Sequence, residues 1–134
     1  MLEKIFSGQQ LLALILRSEF EAEGIEFFTP SHFSQQLGYM NRPKGFTITP
    51  HMHNVVNRDV ELTQEVLFIK SGSVKMDIFD LNKILIKTCV LNKGDVVLLA
   101  SGGHGFTMLE KSEIIEVKTG PHLGEKDKTR FNEN

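Results

Sequence analysis

From Gly45 onward the chain is a series of short apolar segments separated by turn residues, a pattern that leaves little room for helices. Phe46 to Thr49 leads into His51 and His53, and Glu65 to Lys70 ends at Ser71-Gly72-Ser73. Val74 to Phe79 runs to Asp80-Leu81-Asn82, and Ile84 to Leu91 to Asn92-Lys93-Gly94. Val96 to Leu99, Gly105 to Leu109 and Glu113 to Thr119 complete the set. Strands at such close intervals predict an all-β antiparallel sandwich or barrel.

The first 44 residues are less regular. Residues 9 to 18 and 25 to 29 are apolar stretches separated by Glu19-Phe20-Glu21-Ala22-Glu23-Gly24, which reads as two paired strands. Ser7 with Gln10 offers the alternative of a capping box opening a short helix through Leu12, Ile15 and Leu16. Thr29-Pro30-Ser31 and Arg42-Pro43-Lys44-Gly45 mark chain reversals, and the polar tail from Gly124 to Asn134 is expected on the surface. At 134 residues the chain fits one domain, with N-terminal strands and connector over 1–44, the motif-bearing barrel over 45–119 and the tail over 120–134.

Composition narrows the function by exclusion. A net charge of −2 with the signs interspersed provides no basic stripe for nucleic acid or an anionic membrane. Cys89 is the single cysteine, so there is no internal disulfide and no Cys-rich zinc spacing, and its apolar neighbours suggest a small buried residue. The run Leu11 to Leu16 is too short to span a bilayer and lacks the flanks of a signal peptide, so a cytoplasmic location is expected.

The residues that can carry chemistry are His51, His53, Glu65 and His104. Alternate residues of a strand share a face, so the imidazoles of His51-Met52-His53 can point together. If Glu65 faces inward, so do Leu67 and Ile69, and His104 likewise carries Phe106 and Met108 with it. A register one residue away instead turns Val66 and Phe68 inward. Three imidazoles and a carboxylate suit Fe, Mn, Ni, Co or Zn as a divalent ion and do not suit Ca or Mg. Glu61 lies close enough in sequence to replace Glu65. Arg58, His32, His122 and Gln64 read as solvated or structural, as does the mixed-charge group Asp127, Lys128 and Arg130.

These spacings resemble the first cupin motif: Gly45, five residues, His51 and His53, a gap, Glu65, six residues, Gly72. The gap, Asn54 to Gln64, is longer than the family's usual one and implies a longer loop at the barrel mouth. In the second motif Gly94 leads through Ala100-Ser101-Gly102-Gly103 to His104. Here the motif's proline is absent, one residue is missing, and Met108 stands where asparagine is usual. The phrases Phe28-Thr29-Pro30, Gly102-Gly103-His104-Gly105-Phe106 and Gly124 to Phe131 further resemble small bacterial cupins associated with surface-polysaccharide genes.

The resemblance implies a double-stranded β-helix, a jelly-roll-like barrel of antiparallel strands. It also implies one divalent transition metal ion on His51, His53, Glu65 and His104, and a homodimer, for which Leu11 to Leu16 can supply a surface. Two functions follow: a metal-dependent oxidoreductase, isomerase or lyase acting on a small polar molecule such as a sugar or sugar-nucleotide intermediate, or a non-catalytic module that binds a small ligand. Related sugar-nucleotide epimerases use a His and Tyr pair. Tyr39, the lone tyrosine, lies far from the motif in sequence and argues against that reaction.

Overall fold

The computed structural model describes residues 1–132. These form ten strands and one 3₁₀ turn, Gly124–Asp127, and every strand pairing is antiparallel. A five-stranded sheet has the order β1 (Leu2–Ser7), β2 (Gln10–Leu16), β8 (Val96–Leu99), β5 (Glu65–Ser71), β10 (Glu113–Lys118). A three-stranded sheet has the order β7 (Leu85–Asn92), β6 (Ser73–Phe79), β9 (Gly103–Met108), and β3 (Gly24–Phe27) pairs with β4 (Gly38–Asn41). Among the described residues no ladder joins these sheets into a closed barrel, and no helix is long and apolar enough to cross a membrane.

Alternation along the strands divides the core in two. Leu67 and Ile69 of β5 face the three-stranded sheet, where they pack with Ile15, Val97, Met76 and Ile78. Val66 turns to the opposite face and joins Leu14, Leu16, Leu98 and Phe28, a second cluster covered by Phe20, Phe33 and Tyr39. Because β2 contributes to both clusters, Leu12 to Leu16 are all buried. Each such side chain removed from water contributes about 1.5–3 kcal/mol. The end of β2 is tied to the β7–β8 turn through Asp95, which is buried. Its carboxylate accepts from Arg17 Nη1 at 2.9 Å, Ser18 N at 2.9 Å and Asn92 N at 2.7 Å, so the charge is fully partnered.

Four expectations need correction. The apolar stretches at 9–18 and 25–29 are strands, but not each other's partners: β2 lies between β1 and β8, and β3 pairs with β4. Leu2–Ser7 is a further strand, joined to β2 by a tight hairpin with Gly8 at φ 59°, so Ser7 and Gln10 flank a turn and cap no helix. Third, the segment Phe46 to His53 is in no ladder. Residues 42–64 connect β4 to β5 without a strand, and Phe46, Ile48, Met52 and Val55 are exposed. Strand propensity acts only where a partner strand supplies hydrogen bonds, and Pro50 lacks one backbone donor. The Leu11 to Leu16 stretch, expected to offer a dimer surface, is covered within its own molecule.

Candidate functional site

Glu65 opens β5 and lies opposite Leu99 of β8, in the row whose next members, Leu67 and Val97, are both core residues. It therefore faces the three-stranded sheet. His104 of β9 lies opposite Ile78 of β6, a fully buried residue, so its imidazole leaves β9 toward the five-stranded sheet. The two side chains meet between the sheets, with His104 Nε2 3.5 Å from Glu65 Oε2. Glu65 keeps 14% of its side-chain surface and His104 33%.

Burial disfavours charge on both groups. It lowers the His104 pKa below the ordinary imidazole value and raises that of the Glu65 carboxyl, which the nearby Glu116 carboxylate pushes up further. A neutral imidazole with an available lone pair, beside a carboxyl, is a donor combination suited to a transition ion. Glu116 was not legible as a site residue. It stands opposite Leu67 on β10, on the same face as Glu65, and its only sequence signal is its phase relative to Ile114.

His51 and His53 form a second pair. Their ring centroids are 5.4 Å apart, and both side chains are exposed. The Thr49 carbonyl, 2.9 Å from His51 Nδ1, can only accept, so Nδ1 carries the proton and Nε2 keeps its lone pair free. The four expected ligands thus stand as two pairs. Among the described residues no three His, Cys, Asp or Glu side chains gather closely enough to hold an ion.

Glu65 and His104 lie in an open cleft of about 830 Å³. Its far wall is the C-terminal tail, pinned where Phe131 packs edge-on against Phe79 with centroids 5.0 Å apart. Gly103 leaves room for that ring, since a Cβ there would lie 2.7 Å from Phe131. Arg130 pairs with Glu125, as a mixed-charge surface group would, but Lys128 is near enough to act on the charges of Glu65 and His104. The sequence clue to this wall is Phe131, an aromatic residue in an otherwise polar tail.

Glu61 lines a different cavity, together with His32 and Asp59, and does not approach His104. Gln64 is buried and structural: it accepts from Ser34 Oγ at 3.2 Å and Gln35 N at 3.1 Å and donates to the Ala100 carbonyl at 3.4 Å. Tyr39 packs against Phe20 in the outer cluster, remote from the cleft, and Arg58 and His122 are exposed. The chain matches no protein-family model, no characterised protein and no solved structure.

Proposed function

We propose that this protein is a mononuclear metal-binding cupin, its double-stranded β-helix built on the two facing sheets, and that it acts as a metal-dependent enzyme on a small polar molecule. The observation that carries the reading is the convergence of Glu65 and His104, from different sheets, into one cleft, where their side chains come within 3.5 Å. The residues fit the ion as two halves. Glu65 and His104 provide a preformed carboxylate–imidazole pair, and His51 and His53 provide two further nitrogens on a connector that no ladder restrains. His51, His53, Glu65 and His104 would hold the ion together once that connector approaches the cleft.

The bound ion would supply Lewis acidity, a bound water of lowered pKa, or a site for dioxygen. The chain's own residues do the rest. Glu65, whose carboxyl is pushed up by burial and by the neighbouring Glu116, can hold a proton at the cleft, and the apolar surface of Leu99 and Phe79 excludes water from one side of a bound molecule. Remote Tyr39 leaves the cleft without a tyrosine acid, which favours metal-assisted chemistry over His–Tyr epimerisation. The narrower family likeness makes a sugar or sugar-nucleotide intermediate the first substrate class to test.

Purified protein analysed for metal without supplementation is expected to carry about one transition ion per chain, with His51→Ala and His104→Ala each lowering occupancy at least tenfold. Undiminished stoichiometric metal in both variants would remove the assignment. Turnover of nucleotide sugars or small acids by loaded protein separates the enzyme from the binding module, which would bind without product.

A further inference from the structure

We propose that the cleft selects an oxyanion, a carboxylate or a phosphate, gripped between Lys83 and Lys128 while the rest of the molecule extends toward His104. This rests on the reading of the cleft as the functional site and adds the ligand's charge class to it.

Several charged groups of the cleft are already engaged. Asp80 Oδ1 accepts the backbone N–H groups of Asn82 at 2.8 Å and Ile84 at 3.0 Å, which closes the β6–β7 turn. Asp127 Oδ1 accepts the Thr63 hydroxyl at 2.9 Å, and Arg130 is held by both oxygens of Glu125. Lys83 and Lys128 remain. Among the described residues neither ammonium group donates to a carboxylate, and together they present hydrogen-bond donors that an anionic group requires.

Both lysines stand on anchored backbone. Lys83 is the single non-glycine residue at positive φ among those described, 65°, in a turn closed by the Asp80 side chain and by the Lys83 N–H donating to the Asp80 carbonyl at 3.1 Å. A lysine in this conformation is strained where glycine would be relaxed, so the turn carries a cation at a conformational cost. Its Nζ lies 5.8 Å from the centroid of Phe131, the residue that anchors the tail carrying Lys128. The aromatic pair Phe79 and Phe131 thereby joins the two cationic walls.

The strain supplies a clean test. Lys83→Gly removes the cation and relaxes the backbone, so its melting temperature should be unchanged or higher, and any loss of binding cannot be a loss of fold. Titrations of inorganic phosphate, succinate and glucose at constant ionic strength, into chelator-treated and zinc-loaded wild-type protein, should give saturable binding of phosphate or succinate and none of glucose. Phosphate alone or succinate alone identifies which oxyanion is taken. K83G should weaken that binding at least fivefold, and K83G/K128Q at least twentyfold.

Glucose binding as tight as either anion, anion affinity unchanged in K83G/K128Q, or no anion binding in either metal state would overturn the proposal. Zinc content measured on the same samples keeps the two readings apart. Lysine-dependent anion binding by a chain that takes up no metal supports the anion site and defeats the metal centre. Stoichiometric zinc without lysine-dependent anion binding does the reverse.

Discussion

Gly72 shows how a single position in the motif is dictated by sterics before any chemistry enters. It sits between β5 and β6 at φ 91°, and a Cβ there would lie 2.2 Å from Ser112 Oγ and 2.5 Å from the Lys111 carbonyl oxygen. The second contact is with backbone, which cannot swing aside, and the φ alone costs an L-residue about 1–2 kcal/mol. Gly72→Ala should therefore lower the unfolding free energy by roughly 2–4 kcal/mol in urea denaturation. Gly105, beside His104, has a negative φ and open space where a Cβ would go, so Gly105→Ala should change stability by less than about 0.5 kcal/mol. Equal losses in the two variants would show that the β5–β6 turn is not under this constraint. Gly72, the last glycine of the motif, is thus required by packing against the β9–β10 turn, and its presence in sequence says nothing by itself about an ion.

Strands were readable where one face of the segment meets a core and the other does not share it equally. Glu65-Val66-Leu67-Phe68-Ile69 is apolar at every position after Glu65, so the sequence leaves two registers open, and only the burial of Leu67 and Ile69 with Phe68 exposed fixes Glu65 on the face toward the three-stranded sheet. Leu11 to Leu16 has no phase to read, since both of its faces are buried, and a continuous apolar run is as compatible with a helix as with a strand. One partner, β1, is reached through a tight hairpin, but the other, β8 (Val96–Leu99), is remote in sequence, and no local signal encodes that pairing. Phe46 to His53 is the reverse case: it alternates as a strand should, yet lies in no sheet. The sequence could therefore bring Glu65 to His104 in one of two registers but could not show how His51 and His53 stand relative to them. Hydrogen exchange should report this difference. Amides of β5 and β8, bonded on both sides, should be the slowest, and those of residues 46–53 should exchange within seconds in metal-free protein, then slow at least tenfold on metal loading. Slow exchange over 46–53 without metal would show that this segment already has a partner.

The proposed capture of an ion by two separated pairs would have consequences for the whole molecule that binding by a preformed cage lacks. Such capture would draw the 42–64 connector toward the sheets, and the connector carries Ile48, Val55, Val60 and Leu62, all exposed in this structure. Burying about 300 Å² of that apolar surface would lower the heat capacity by roughly 0.1–0.2 kcal/mol/K, whereas coordination to a rigid site gives almost no such term. Ordering the connector also consumes conformational entropy, so the observed affinity should fall short of what four ligands on a rigid frame provide. Calorimetric titration of zinc into chelator-treated protein at several temperatures should therefore give a binding enthalpy that becomes steadily more negative on heating. An ion that binds the folded chain alone should, at a hundred times its Kd, add about 2.7 kcal/mol to the unfolding free energy. That corresponds to a melting-temperature rise of roughly 5–15 °C for a chain of this size. In His51→Ala/His53→Ala both effects should collapse together, since the ion is then left with only the Glu65–His104 half. Wild-type stabilisation without a heat-capacity change would instead mean that the ion is held by a site already assembled, and the connector would have no part in its capture.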